Sequence, residues 1–493
     1  MKSLRNIINS AFFLSILISS LLVINQLLLP KYIINNSDWP TTSSYSQFYR
    51  MEENSIDVLF LGSSVVVNAF IPQEIYNNYG IRSYNLGSEQ QSIFLSYYWL
   101  KEALRFQSPK VVVLDMKFMW DLHPDSAINT TEGLTRKCLD PMKWSPVKCE
   151  AVHSLCNLDK EQSELSYYLT NIRFHSRWSD KIEECDFSRE MINNYNLMGF
   201  SPLGINGAES YETYENCDAE VCTDFNPIMQ KYLDLIVELC NMNNISLVLV
   251  ELPGNEMNDS INNAHVKYAQ ENGIEYYNLC STEYYNLIGA KLPEENIVNH
   301  ANYWGAVKLS QFIGKMLNEK YGLQAVRDEQ YENANVYYEN IKNNLALSRI
   351  TDTIEYLGAI NKKNYAVFMV THGDATATFN QEYVLYGLYH LGLECKYLAH
   401  PENRYAAVII EGNVVEERTS YNPIDIRGSF RNQKSNYYMQ SGGIAWDAYS
   451  SIEIDGGQYS MSTVGLNITV YDLNTSHVID QTTIQGLKVI HAD

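Results

Sequence analysis

Ser55-Ile56-Asp57-Val58-Leu59-Phe60-Leu61-Gly62-Ser63-Ser64-Val65-Val66-Val67-Asn68 is the stretch that decides how this chain is read. Val58 to Leu61 is a short apolar run, the pattern of a strand buried on both faces. It stops at Gly62, and two hydroxyls follow, Ser63 and Ser64. Open α/β sheets carry their chemistry just past the carboxyl ends of their strands, so a serine there stands where a reactive group would. The same residues also suit a plain turn with a serine at a helix N-cap.

Outward from this stretch the pattern alternates. Pro72–Tyr79 reads as a helix with proline in its first turn. Arg82–Gly87 reads as a second short strand, Ser92–Phe106 has helical apolar spacing, and Lys110–Asp115 is a third buried strand. A β-α-β-α-β order predicts a parallel sheet with right-handed crossovers. Residues 120–225 interrupt it. They are polar and rich in Cys, Asn and Tyr, and they read as a helical insertion roofing the carboxyl-end face. The alternation resumes with a helix over Met229–Cys240, a strand over Ile245–Leu252, a helix over Ile261–Glu271 and a strand over Ile274–Leu279. A long amphipathic helix then runs to Tyr321. Residues 324–345 read as a helical linker.

A second unit is expected over 346–493. It opens with a helix over Leu347–Leu357, a strand over Tyr365–Val370, a helix over Glu382–Leu391 and a strand over Ala406–Ile410. Short alternating strands punctuated by glycine follow, the pattern of a small β-sandwich or barrel.

The amino terminus stands apart. Lys2 and Arg5 precede an uncharged run from Ile7 to Leu29, about the 20 residues needed to cross a bilayer. The run is too long for a signal h-region, and no small-x-small cleavage site closes it. Its flanking positive charges keep the amino side in the cytoplasm. The expected layout is a cytoplasmic terminus and single-pass membrane anchor over 1–35, a polar stalk over 36–54, and the bulk of the chain extracytoplasmic. A cleaved signal peptide is the alternative.

The net charge of −22 argues against nucleic acid as a partner, because that needs a basic stripe. The 37 tyrosines suit wet, polar ligands such as sugars, and equally suit ordinary β-rich cores. The nine cysteines include no CxxC pair, which argues against zinc; no metal or cofactor is expected. Cys217 and Cys222 are close enough in sequence for a local bridge in an exported protein, and an odd count leaves at least one thiol unpaired.

A serine becomes a nucleophile only with a base in reach and donors for the developing oxyanion. Ser64 is the candidate nucleophile. His300, in the loop before the long helix, is the candidate base. The backbone N–H groups of Ser64 and Gly87 are the candidate oxyanion hole. All three residues fall at expected carboxyl-end loops. A phosphate-binding loop is excluded, since no Gly-Lys-Ser/Thr follows Gly62.

These residues resemble the SGNH/GDSL hydrolases over 55–321, with 120–225 carrying little of the resemblance. Phe60-Leu61-Gly62-Ser63-Ser64 resembles the nucleophile block, with Ser64 in the nucleophile place and Ser63 where the best-known members carry Asp. Gly-Ser-Ser is familiar in membrane-anchored members, such as the D-alanyl transfer protein of teichoic acid modification. That protein resembles this chain in layout too, with one amino-terminal anchor and an external domain. Asn85-Leu86-Gly87 resembles the second block, with Gly87 as oxyanion donor. His300-Ala301-Asn302-Tyr303-Trp304-Gly305-Ala306 resembles the last block, usually Asp-x-x-His-x-Asn-x-x-Gly-Ala.

Two departures stand out. Ile297 occupies the Asp position, and the Gly-x-Asn-Asp block is not recognisable, Asp115 and Asn255 lying near its place. Glu294, Glu295 or a backbone carbonyl would then support a Ser-His dyad. Asn85, Gln91, Glu295 and Asn302 are candidate supporting groups.

The resemblance implies an α/β fold over 55–323, a flavodoxin-like parallel sheet with helices on both faces. It implies a surface-anchored serine esterase or O-acyltransferase acting on acyl groups of a cell-envelope glycan, and, for a transferase, a membrane acyl-donor protein as partner. The missing Asp keeps a second reading open, an inactive SGNH fold serving as a glycan-binding or envelope-assembly factor. Ser441-Gly442-Gly443, Ile452–Gly456, Tyr459, Val464–Asp472 and Val478-Ile479-Asp480 resemble the interleukin-like EMT-inducer domain. That implies a β-sandwich flanked by helices over 346–493. A related stem domain, in a protein O-mannose N-acetylglucosaminyltransferase, binds sugar. Carbohydrate binding and simple packing are the two roles this leaves.

Overall fold

Every position of β1 (Val58–Gly62), β2 (Ser83–Gly87) and β3 (Val111–Asp115) is buried, which is why these strands read as unbroken apolar runs. With β4 (Ser246–Glu251) and β5 (Glu275–Asn278) they form a parallel sheet in the order β2-β1-β3-β4-β5. A doubly wound sheet in this order has its switch point between β1 and β3. A two-strand hairpin, β6 (Asn296–Ile297) and β7 (His300–Ala301), lies outside the sheet.

The computed structural model describes all residues except 1, 31–40, 122, 180–183, 188–196, 205–212, 216–219, 254–256, 292–294, 298–299, 397, 444 and 493. It divides into two compact units, 1–338 and 339–493.

In the first unit the helices are α1 (Lys2–Leu28), α2 (Thr41–Phe48), α3 (Ser64–Ala69), α4 (Pro72–Tyr79), α5 (Ile93–Ala103), α6 (Glu132–Leu139) and α7 (Pro146–Leu158). They continue with α8 (Glu164–Tyr168), α9 (Asn171–Phe174), α10 (Pro227–Met242), α11 (Asp259–Asn272), α12 (Thr282–Ile288) and α13 (Tyr303–Tyr321). Successive strand residues point to opposite faces. Leu59, Leu61, Val112, Leu114 and Leu249 therefore pack into one core with α5, α7 and α10. Val58, Phe60, Val111, Val113 and Val248 pack into another with α3, α4 and α13. Helix α4 has the bounds expected from sequence, with Pro72 in its first turn and Gly80 at φ +64 closing it.

Helix α1 holds a span, Leu4–Leu28, of mean hydropathy 2.4, with its large apolar side chains exposed from Leu4 to Ile24. Among the described residues it is the one helix long and apolar enough to cross a membrane, a length and composition that suit a span or a signal sequence.

Two expectations for this unit need correction. The stalk over 36–54 is in part a folded element, because Tyr45 and Phe48 on α2 are buried and Tyr45 stacks on Trp99 at 4.1 Å. Three-residue spacing of these two aromatics on a short helix makes an apolar stripe that serine-rich composition hides. Among its described residues, the insertion roofs the strand ends only in part. Cys138, Leu139, Val152 and Leu155 of α6 and α7 join the core around α5. The segment 197–204 is what crosses toward the strand ends: Asn85 N donates to Met198 O (2.9 Å), Ser201 N to Val67 O (2.9 Å) and Tyr303 N to Leu203 O (2.8 Å). Cys222 carries a free thiol, and Cys217, with which the sequence allows a local bridge, lies outside the described residues.

The helix expected in the linker over 324–345 is α14 (Glu329–Leu347). Tyr331 donates to Ser83 O (2.9 Å) and Tyr338 to Glu74 Oε1 (2.7 Å), so its first half belongs to the first unit. The second unit begins at Glu339, seven residues before the expected boundary at 346. The helix expected over Leu347–Leu357 is broken, because Asp352 caps a new helix, α15 (Thr353–Ala359), by accepting from Glu355 N at 2.9 Å.

The second unit continues with β8 (Tyr365–His372), α16 (Thr376–Phe379), α17 (Glu382–His390), β9 (Arg404–Ile410), β10 (Asn413–Ser420), β11 (Ile424–Phe430) and β12 (Ser435–Gly442). It ends with β13 (Tyr449–Ile454), β14 (Gly457–Gln458), β15 (Gly465–Asp472), β16 (His477–Gln485) and β17 (Lys488–His491). One antiparallel sheet runs β10-β9-β8-β15-β16-β17 and a second runs β11-β12-β13-β14. Phe368, Val370 and Val408 of the first pack on Ile426, Met439 and Ile452 of the second. Tyr356 and Leu357 of α15 and Val384 and Leu388 of α17 cover the opposite face of the larger sheet.

Candidate active site

Gly62 ends β1 at φ +154, and a Cβ there would stand 2.6 Å from Val66 Cγ2 and 2.8 Å from Asp115 Cβ. Only glycine fits this turn. The chain passes at once into α3, with Ser63 at the N-cap in extended conformation and Ser64 as the first helical residue. The first N–H groups of a helix have no acceptor within it, so the Ser64 N–H is not claimed by α3. Ser64 is 8% exposed.

The Ser64 Oγ lies 2.8 Å from His300 Nε2. His300 is half-buried on β7, where its register partner is Ile297. Burial pushes the imidazole down to about 4, and the positive charge of Lys117 adds to the shift. The ring is therefore neutral at pH 7, the form that accepts a proton. Lys117 itself stands two residues beyond the end of β3, the strand beside β1.

Gly87 pairs in register with Gly62. A Cβ on Gly87 would stand 2.6 Å from the Gly62 carbonyl oxygen and 3.4 Å from that of Ser63. Two backbones thus pass at a distance that admits no side chain. The Ser44 hydroxyl of α2 donates to the Gly87 carbonyl at 3.0 Å and holds this strand end in place.

The four supporting candidates do other work. Asn85 Nδ2 donates to Phe70 O at 2.6 Å, tying β2 to the end of α3. Gln91 Nε2 donates to Leu86 O and Ser96 Oγ, both at 3.1 Å, and its carbonyl accepts from Tyr45 OH. Glu295 is paired with Lys308 at 2.8 Å and accepts from Lys291 N at 2.6 Å, so Lys308 neutralises its carboxylate. Asn302 caps α13 by accepting from Gly305 N at 3.1 Å, while its own N–H donates to Glu295 O at 3.1 Å. A Cβ on Gly305 would fall 2.3 Å from that same Glu295 oxygen. Asn302 and Gly305 therefore shape the loop that presents His300. Asn255 and Glu294 lie outside the described residues.

The fold thus brings Ser64, His300 and Gly87 to one end of the sheet and spends Asn85, Gln91, Glu295 and Asn302 on holding it. Two nearby groups went unread in the sequence. Lys117 carried a signal, a cation just past a strand end; Ser44, in a serine-rich stretch, carried none. Chemically, a hydroxyl hydrogen-bonded to a neutral imidazole can lose its proton to that ring as it attacks a carbonyl. No family model matches this chain, and comparison with curated proteins finds no relative.

Proposed function

We propose that the first unit is an SGNH-type serine esterase or O-acyltransferase, anchored at the cell surface and acting on acyl groups of an envelope glycan. The 2.8 Å contact between Ser64 Oγ and His300 Nε2 carries the reading. Ser64 attacks the acyl carbonyl and its proton passes to His300 Nε2. The N–H groups of Ser64 and Gly87 receive the oxyanion, and the nearby Lys117 charge favours it. His300 returns the proton to the departing glycan oxygen, leaving an acyl group on Ser64. Water or a second hydroxyl then takes that acyl group, giving hydrolysis or transfer. A membrane acyl-donor protein is the partner a transferase would need.

The second unit is proposed as an interleukin-like EMT-inducer-type module that holds the glycan. Tyr383, Tyr386 and Tyr389 support this: all three are more than half exposed on α17 at three-residue spacing, and sugar rings stack on such faces. A Ser64→Ala variant assayed beside the parent on acetylated glycans and aryl esters tests the enzyme reading. Turnover is expected to vanish in the variant, and equal turnover by both proteins would remove the proposal.

A non-catalytic, glycan-binding role is the second reading. The observation that favours it is Ile297, which stands where the resemblance places the acid that orients the histidine.

A further inference from the structure

Three cationic side chains, Arg50, Lys143 and Lys148, line one cavity of about 270 Å³ in a chain whose net charge is −22. The cavity lies between the carboxyl end of α1, the end of α2 and the segment from α6 to α8. Asp140 is the one acid among its described lining residues, and it lies 3.7 Å from Arg136. Lys148 Nζ donates to Asp140 O (3.1 Å) and Met142 O (2.9 Å). Lys143 Nζ sits 4.4 Å above the Tyr49 ring. Trp144 and Tyr168 pair at 5.1 Å. The lining is thus cationic and aromatic together.

Its place along α1 gives the cavity meaning. The large apolar side chains from Leu4 to Ile24 are at least 41% exposed, whereas Leu28 is 6% exposed. The change comes where α1 docks on the insertion. Asn25 Oδ1 accepts from Thr170 Oγ1 (3.0 Å) and Asn171 N (2.8 Å), and Arg177 Nη1 donates to Leu28 O (3.0 Å). The same insertion exposes Trp144, Ile172 and Trp178. For a helix that spans a bilayer, this level is the headgroup layer, where Trp, Tyr and cationic side chains collect.

We propose that this cavity binds the phosphate-bearing headgroup of an anionic membrane lipid. Arg50, Lys143 and Lys148 supply the charge, and Tyr49, Trp144 and Tyr168 pack against the glycerol and upper acyl carbons. The inference rests on the membrane-anchored reading. It adds that the outer unit is held against the bilayer by a bound lipid as well as by α1, which keeps its orientation to the surface fixed.

The test is native mass spectrometry of the full chain in neutral detergent, titrated with short-chain phosphatidylglycerol or phosphatidylcholine. Phosphatidylglycerol is expected to be retained about tenfold better. Arg50→Glu with Lys143→Glu, both exposed positions, is expected to abolish the preference at unchanged thermal stability. Lys143→Ala alone is expected to weaken it. Equal retention of the two lipids, an unaffected double variant, or full displacement by millimolar inorganic phosphate would each overturn the proposal. Carbonate extraction of membranes separates the two ideas. A chain that washes off contradicts the anchor, while an anchored chain without headgroup preference contradicts only the lipid site.

Discussion

The Gly87 Cα approaches the nucleophile turn so closely that a methyl group on it would stand 2.6 Å from the carbonyl oxygen of Gly62. The end of β2 and the end of β1 are therefore one construction, braced from outside by the Ser44 hydroxyl. A Gly87→Ala substitution must push β2 away from the turn that carries Ser64. Displacements of this size at a reacting centre cost about 100-fold in rate. We expect kcat/KM on an aryl ester to fall by about that factor with only a modest drop in thermal midpoint. A variant with full activity would show that Gly87 does not shape the oxyanion side.

The depressed imidazole of His300 makes a prediction about pH. A histidine of ordinary behaviour titrates near 6.5, and this one is pushed to about 4 by burial and by Lys117. Activity on a neutral ester should therefore persist into mildly acidic buffer, with its acid limb near 4. Lys117→Met removes the second cause and leaves the first. The limb should move up, yet stay short of 6.5. A parent profile that falls near 6.5 would contradict the burial argument.

Stability carries the same sign. The unfolded chain takes up a proton on His300 between about 6.5 and 4 that the folded chain refuses. His265, fully buried and pushed to about 3, does likewise over a wider window. Stability therefore falls as pH is lowered through this range, by up to about 1.4 kcal/mol per pH unit for each group. Urea unfolding followed by tryptophan emission at pH 7, 5.5 and 4.5 measures it.

A fourth prediction concerns His265 and Glu251, whose Nδ1 and Oε2 are 3.2 Å apart with neither exposed. Burial keeps the imidazole neutral, so the contact is not an ion pair, and the Nδ1 atom also lies 3.3 Å from the Tyr276 hydroxyl. Removing only the histidine takes a hydrogen-bond partner from the Tyr276 hydroxyl and a polar neighbour from a buried carboxyl. His265→Leu should cost about 1–3 kcal/mol, and the double variant with Glu251→Leu should cost less than the sum of the two single variants. Additive losses would show that the two side chains act independently.

Much of the first unit was legible because its strands are buried on both faces and its helices carry their own punctuation. Val58–Leu61, Pro72–Tyr79 and Lys110–Asp115 each announce themselves by composition, and their order alone predicts a parallel sheet. Ser64 and His300 were legible as candidates because both fall beside such elements. What brings them to 2.8 Å was not, since it depends on the β6–β7 hairpin and on the Asn302 and Gly305 contacts to Glu295. Glu295 read as a stand-in for the missing acid, yet its charge is met by Lys308, thirteen residues on. The folding of α2 was hidden by serine and threonine around two aromatic anchors, Tyr45 and Phe48.

The central claim is that Ser64 is a nucleophile activated by His300. Intact-mass and peptide mass spectrometry after treatment with a fluorophosphonate ester tests it most directly. The account predicts one adduct per chain, on Ser64, absent in Ser64→Ala and formed much more slowly in His300→Ala. No adduct, an adduct on another residue, or labelling indifferent to His300 would contradict it.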